Sequence, residues 1–191
     1  MSAAAPEGWL ASQGRWMIGD ALRVVVAASV PLVWVAAGAP AAAAMLLALG
    51  GAMALRFARM PVATDVVGQA VLLGGAWFAA LGTFEIVPWL DTLTHFASGA
   101  VLALLTRELL LQARLLPHAD DRRAATARAL HTSTAVLLLG FLWELGEWAG
   151  HALITVDIRV GYEDTMLDLA ADLAGAIVAA TAVELAARRR R

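Results

Sequence analysis

Long apolar runs separated by short charged connections make up most of this 191-residue chain. Most of the runs reach the ~20 residues that an α-helix needs to cross the hydrocarbon core of a bilayer. A chain inside a bilayer must satisfy its own backbone hydrogen bonds, so the runs predict helices. They predict an all-α, polytopic membrane helix bundle of about six transmembrane helices. The runs lie at about residues 21–37, 41–58, 62–82, 92–115, 129–151 and 165–187.

The composition also favours a membrane protein over a soluble domain. Apolar residues make up 61% of the chain and the mean hydropathy is +0.73, whereas soluble domains are nearer half apolar. The chain has no cysteine, which excludes disulfides and thiolate metal sites. All 14 basic residues are arginines, so a lysine Schiff base is excluded. No basic stripe with interleaved aromatic residues suggests nucleic acid, and membrane lipids are the expected partners.

The distribution of arginine predicts the orientation. Arginines cluster in alternate connections between the runs, and the other connections contain only Arg159. The positive-inside rule then places both termini in the cytoplasm. A signal peptide within residues 1–40 is disfavoured because its small residues continue directly into another apolar run. The predicted organisation is an N-terminal interfacial segment 1–20, a transmembrane domain 21–187 and a basic cytoplasmic tail 188–191.

Acidic and histidine side chains recur at helical spacing near the outer ends of the last three predicted spans. Spacings of three, four, seven or eight residues place such side chains along one face of a helix. A carboxylate at the bilayer centre costs about 2.5–3.5 kcal/mol on insertion scales. Several in register are therefore expected to have a function. The stretches are Asp91-x-x-x-His95, Glu144-x-x-Glu147-x-x-x-His151 and Asp164-x-x-x-Asp168-x-x-x-Asp172.

These carboxylates cannot all be ionised at one depth, where Arg159 is the only nearby fixed cation. Either several are protonated or cations lie among them. Aspartate, glutamate and histidine without thiolate suit a divalent Zn, Mn, Fe or Mg ion. Asp91 is the predicted catalytic residue, as a general base or as a partner that orients the neighbouring histidine. Arg159 is the predicted ligand for an anionic head group. The predicted metal ligands are His95, Glu144, Glu147, Asp164 and Asp168.

Simpler interpretations exist for several of the outer residues. Asp91 and Asp164 can each serve as a helix N-cap. His151 can lie in interfacial water, and Asp172 can form an ordinary hydrogen bond between helices. At the span ends, no special role is expected for Asp20, Asp65 and Glu184, and Arg107–Glu108 is expected to be a solvated pair at the inner face.

Around these residues the chain resembles the YjdF-like bacterial inner-membrane proteins, a family of unassigned function. The resemblance covers roughly residues 65–185, and it implies a multi-pass protein of the bacterial cytoplasmic (inner) membrane. It implies no reaction, so the mechanism rests on chemistry. The matching pieces are Asp91-Thr-Leu-Thr-His95-Phe-Ala-Ser-Gly99, Arg107-Glu108, Trp143-Glu144-Leu-Gly-Glu147-Trp148, Gly161-Tyr162-Glu-Asp164-Thr165-Met-Leu-Asp168-Leu169 and Gly175-Ala176.

Three functions fit the polar residues. The leading hypothesis is a metal-dependent hydrolase that acts on a lipid or lipid-linked substrate in the outer leaflet. A second is a transporter in which the same acids carry a cation or proton. A third is a non-catalytic assembly subunit whose polar residues hold the helices together.

The arginine pattern makes a testable prediction of topology. Reporter fusions after Arg191 and within the 117–128 loop are both expected to report a cytoplasmic location. A periplasmic signal from either fusion would overturn the orientation and the outer-leaflet placement of the acidic residues.

Overall fold

The computed structural model describes residues 16–119 and 121–189, which are predominantly helical and contain no strand. The all-α fold class predicted from the sequence is therefore confirmed. A four-residue helix, α3, lies in the connection before α4. The helices are α1 (Ile18–Phe57), α2 (Val62–Ala80), α3 (Thr83–Ile86), α4 (Trp89–Gln112), α5 (Arg122–Leu153) and α6 (Tyr162–Arg189).

The first helix, α1, is a helical hairpin. Gly38 has φ 83°, outside the helical region, and separates a first arm, residues 18–37, from a second arm, residues 39–57. The Nε of Arg23 donates to the backbone carbonyl of Ala52 at 3.0 Å, across 29 residues of sequence. A straight helix would separate the two residues by roughly 44 Å, so the arms run antiparallel. The gap between the first two predicted runs, at Gly38-Ala39-Pro40, coincides with this turn.

Hydropathy identifies four helices among the described residues that are long and apolar enough to cross a membrane, α1, α2, α5 and α6. The 24 residues of α4, which include Asp91, His95, Arg107 and Glu108, are not among these four. If each arm of α1 is one crossing and α4 is included, the total is the six predicted from the sequence. That number, and the side on which the termini lie, stay predictions.

Two glycines bring α4 and α6 into backbone contact. Gly99 of α4 lies against the backbone carbonyl of Asp172, and Gly175 of α6 lies against the backbone carbonyl of Phe96. A Cβ at either glycine would overlap with the opposing backbone. Small residues allow this close approach between membrane helices.

The contacts along α4 and α6 show that the two helices run parallel. His95 lies beside Asp168 near the start of both, and Arg107 pairs with Glu184 near the end of both. The intervening helix α5 returns antiparallel and completes a three-helix unit. Its middle is closed by the buried residues Ala103, Val136 and Ala176.

A buried ion pair joins the α1 hairpin to α2, contrary to the expectation for Asp20 and Asp65. Arg23 pairs with Asp65, which is 1% exposed, and with Asp20 at 3.1 Å. The Nε2 of Gln69 donates to the carboxylate of Asp65. The expectation was wrong because sequence position marks a span end but does not show which charges the folded hairpin brings together.

A second buried network lies at one end of the three-helix unit of α4, α5 and α6, where α4 and α6 end and α5 begins. Glu184 is 4% exposed and accepts hydrogen bonds from the Nε of Arg107 at 2.7 Å and the Nε of Arg128 at 3.0 Å. Arg128 also donates to the backbone carbonyls of residues 117 and 119, which anchors the loop before α5. The expectations that Glu184 has no special role and that Arg107 and Glu108 form a solvated pair were therefore wrong, because the folded bundle brings Arg107 to Glu184. Glu108 accepts from Gln112 instead.

Parts of the predicted terminal segments fall outside the described residues. Residues 1–15 of the predicted interfacial segment lie there, and Ile18–Asp20 belong to α1. Residues 190–191 of the predicted tail also lie there, while Arg188 and Arg189 continue α6.

The glycine contacts predict large effects of small substitutions. Gly99→Ala and Gly175→Ala should each destabilise the protein by roughly 1–3 kcal/mol or more, because backbone atoms cannot move aside as a flexible side chain does. Gly146→Ala is a matched control, since nothing lies within 4 Å of its added methyl group. It should gain up to about 1 kcal/mol from helix propensity. Thermal unfolding in detergent measures all three, and equal melting temperatures would refute the close contact.

Candidate metal centre

Helix ends position the acidic and histidine residues. Pro88 precedes α4, where its missing N–H costs no hydrogen bond, and it leaves Asp91 in the first turn. Tyr162 begins α6, so Asp164 also lies in a first turn. Neither aspartate is the N-cap residue of its helix. Because α5 is antiparallel to both, its C-terminal part, which carries Glu144, lies beside these two helix starts.

Three donor atoms form a compact triangle between α4 and α6. The Nε2 of His95 is 3.8 Å from the Oδ1 of Asp91 and 3.7 Å from the Oδ2 of Asp168. One donor atom from each residue lies within 4.8 Å of the other two. Asp168 is buried, and the other two residues are partly exposed. Two residues predicted as metal ligands and the predicted catalytic residue thus come together.

The second nitrogen of the same imidazole points to another carboxylate. The Nδ1 of His95 is 3.4 Å from the Oδ1 of Asp172, and the Asp172 side chain is 9% exposed. Gly140 of α5 leaves the room that this carboxylate occupies, because a Cβ there would lie 2.7 Å from its Oδ2. The sequence left the membership of Asp172 open, and the structure places it against His95.

The α5 glutamates lie beside the triangle without completing it. Glu144 is buried, and its Oε2 accepts a hydrogen bond from the Oγ1 of Thr165 at 2.7 Å. Glu147 is half-buried, forms no hydrogen bond with any residue that the structure describes, and interacts electrostatically with Glu144 and Asp168. Neither belongs to the three-residue set.

Asp164 lies at the exposed rim of the cluster that it forms with Asp91, His95, Glu144, Glu147, Asp168 and Asp172. Its side chain is exposed, yet it is close enough to Asp91, Glu144 and Asp168 to interact with them electrostatically. It is outside the set of three donors. Of the five predicted metal ligands, only His95 and Asp168 therefore lie in the compact triangle.

The two remaining outer residues have partners elsewhere. Arg159 forms an exposed ion pair with Glu85 of α3 at 2.9 Å. The Nδ1 of His151 is 2.6 Å from the backbone carbonyl oxygen of Ile158, which ties the end of α5 to the following loop. His151 therefore has a structural partner, and the predicted head-group role of Arg159 stays a prediction.

No arginine that the structure describes pairs with a carboxylate of the cluster, whereas arginines neutralise acids elsewhere in the bundle. Ion pairs within residues 16–119 and 121–189 give the cluster's carboxylates only His95 as a partner, whereas Glu184 has two guanidinium groups. One imidazole cannot balance six carboxylates, and their mutual repulsion in a partly buried site is unfavourable. A cation among them would reduce that repulsion.

The triangle has dimensions that suit a divalent cation. A point equidistant from donor atoms 3.7, 3.8 and at most 4.8 Å apart lies about 2.4 Å from each, within the ~2.0–2.6 Å range of metal bonds to nitrogen and oxygen. Two carboxylates and an imidazole are ligands that Zn, Mn and Fe accept. Asp91, His95 and Asp168 therefore fit such an ion in distance and in chemistry.

Comparison with known proteins identifies a family but no activity. A family model described as "Predicted membrane protein (DUF2238)" matches residues 10–189. The chain belongs to this family. It is the YjdF-like family that the motifs indicated. No curated protein and no solved structure matches the chain.

Sequence reasoning missed Thr165 and left Asp172 undecided. Both carry a signal that can be recognised afterwards. Thr165 directly follows Asp164, one turn before Asp168, and Asp172 continues the same four-residue repeat. A helical repeat shows that residues share a face but not which helix that face meets, so their partners Glu144 and His95 were not predictable.

The isolation of Glu147 makes a testable prediction. In metal-free buffer with chelator, Glu147→Gln should increase the free energy of unfolding by on the order of 1 kcal/mol, because it removes a partly buried carboxylate that no hydrogen bond or arginine of the described residues compensates. Glu163→Gln is the control, an exposed change in the first turn of α6, near the end of α5 that carries Glu147. It should leave the melting temperature unchanged. A destabilised Glu147→Gln variant would show that the carboxylate has a favourable partner.

Proposed function

We propose that this protein is a metal-dependent membrane hydrolase whose divalent cation binds at Asp91, His95 and Asp168. The observation that carries the proposal is that the two ring nitrogens of His95 face different carboxylates. Its Nε2 faces the two carboxylates of the triangle and its Nδ1 faces Asp172. Ligating histidines usually give their second nitrogen to a carboxylate or carbonyl in this way, which orients the ring.

Residues around the triangle have separate roles in this proposal. A divalent cation at the triangle would acidify a coordinated water and polarise a carbonyl or phosphoryl oxygen. Asp91 supplies a ligand oxygen, so the general-base role predicted for it passes to Glu147, which is near the triangle and forms no hydrogen bond with the described residues. Thr165 holds the carboxylate of Glu144. Asp172 holds the ring of His95.

The surroundings of the cluster support a lipid or lipid-linked substrate. Exposed apolar side chains lie on all three helices near it, at Trp89, Trp148 and Leu167. In a membrane protein such side chains contact lipid, and tryptophan favours the interface between hydrocarbon and water. A substrate held by its apolar part in the bilayer can present a polar group to the exposed side of the cluster at Asp164.

Transport is the weaker alternative because an apolar layer closes the three-helix unit. Ala103, Val136 and Ala176 are fully buried between the cluster and the Arg107–Glu184 pair. An ion that crossed this layer would leave the carboxylates of the cluster, and on α5 it would meet only the buried hydroxyls of Thr132 and Ser133, about one turn from Val136, among the described residues, which is costly. The assembly-subunit alternative requires no metal, so metal binding separates it from the proposal.

Asp168→Asn tests the metal site directly. The amide keeps the shape of the side chain and can still form hydrogen bonds, but it loses a charged ligand oxygen. Wild type should melt at a higher temperature with Zn or Mn than with chelator. When the metal concentration is a hundredfold above its Kd, bound metal should add about 2.7 kcal/mol to the free energy of unfolding. The variant should fold and lose both the bound metal and this stabilisation. Asp157→Asn, in the exposed α5–α6 loop, should keep both.

Elemental analysis and melting curves of purified protein measure the result. Equal melting temperatures with and without chelator, for wild type and variant alike, would favour the assembly-subunit interpretation. Incubation with mixed bacterial lipids then tests the reaction. Products that require both wild-type protein and metal support a hydrolase, whereas metal-dependent ion movement into vesicles without any product supports transport.

A further inference from the structure

Four exposed arginines lie together at the end of the bundle opposite the candidate metal centre. We call Arg122, Arg123, Arg188 and Arg189 the basic edge. The first two begin α5 and the last two end α6. The Arg128–Glu184 ion pair shows that these two helix ends are neighbours. Within the described parts of the chain, none of the four forms an ion pair with an acid.

Nearby acids do not balance this charge. Asp121 caps α5 by accepting from the backbone N–H of Ala124. Glu184 is shared between Arg107 and Arg128, and Glu108 accepts from Gln112. A surface of one sign attracts mobile ions of the other sign. At this end of α4–α6 the described arginines are Arg107, Arg114, Arg122, Arg123, Arg128, Arg188 and Arg189, against the three acids named.

The basic edge continues directly into apolar surface. Leu130 is 63% exposed, about two turns along α5 from Arg123, and Leu185 is 50% exposed, one turn before Arg189. Arg188 is about 30 Å along α6 from Asp168 at 1.5 Å per residue, close to the ~30 Å thickness of the hydrocarbon core. The edge therefore lies at head-group depth when the cluster lies at the opposite interface.

We infer that the basic edge binds the head group of an anionic phospholipid, with its acyl chains along Leu130 and Leu185. A phospholipid is the molecule that joins a negative phosphate to an apolar chain in the same geometry as this surface. Basic segments beside membrane helices attract anionic lipid in this way. This site is independent of the proposed hydrolase centre, so either can fail without the other.

The inference is tested by measuring how strongly spin-labelled lipids associate with the full chain in phosphatidylcholine vesicles. Wild type should associate with spin-labelled phosphatidylglycerol in preference to spin-labelled phosphatidylcholine, and added salt should weaken the preference. R122Q/R123Q and R188Q/R189Q should each reduce it by about threefold or more, since each arginine near the surface contributes. R59Q removes an exposed positive charge from the connection between α1 and α2, outside the basic edge, and should change the preference less than either double variant does.

The outcomes are distinct. An unchanged preference in both double variants overturns the inference. Loss of the preference on adding millimolar inorganic phosphate at constant ionic strength would identify a free-phosphate site and also overturn it. If R122Q/R123Q does not insert, R188Q/R189Q decides alone, because its two exposed side chains lie in the last turn of α6.

Discussion

The backbone contact between α4 and α6 determines most of what the bundle can do. Gly99 and Gly175 let the helices approach until each meets the other's carbonyl groups. Only at that separation can His95 lie between carboxylates of a parallel neighbour, and only then can Arg107 reach Glu184. Two glycines, which have no side chain, thus determine where charged groups lie toward both ends of the three-helix unit.

The two ends treat buried charge in opposite ways. Around Glu184, two guanidinium groups supply more positive charge than the carboxylate requires, and hydrogen bonds saturate both of its oxygens. Around His95, several carboxylates share one imidazole. An ion pair removed from water is stable only when geometry and hydrogen bonds compensate for lost hydration. The first end is compensated by the protein alone, and the second is suited to compensation by a bound cation.

Much of the fold was predictable because each membrane helix is visible in the sequence as a long apolar run. Apolar length located each long segment, and the Gly38-Ala39-Pro40 break located the turn of the α1 hairpin. The site was predictable only in part. Helical spacing identified His95 and Asp168 because that signal is local. The pairing of Asp65 with Arg23 spans 42 residues and depends on how the helices assemble, which spacing does not encode.

That long-range pair has a consequence for the order of events during synthesis. Arg23 lies in the first arm of α1, while Asp65, its most deeply buried partner, lies in α2. The hairpin emerges from the ribosome before its partner does. Until α2 follows, the partners of Arg23 among the described residues are the nearby Asp20 and the carbonyl of Ala52. Insertion of α2 is therefore the step that supplies the buried carboxylate on which the charge of the hairpin depends.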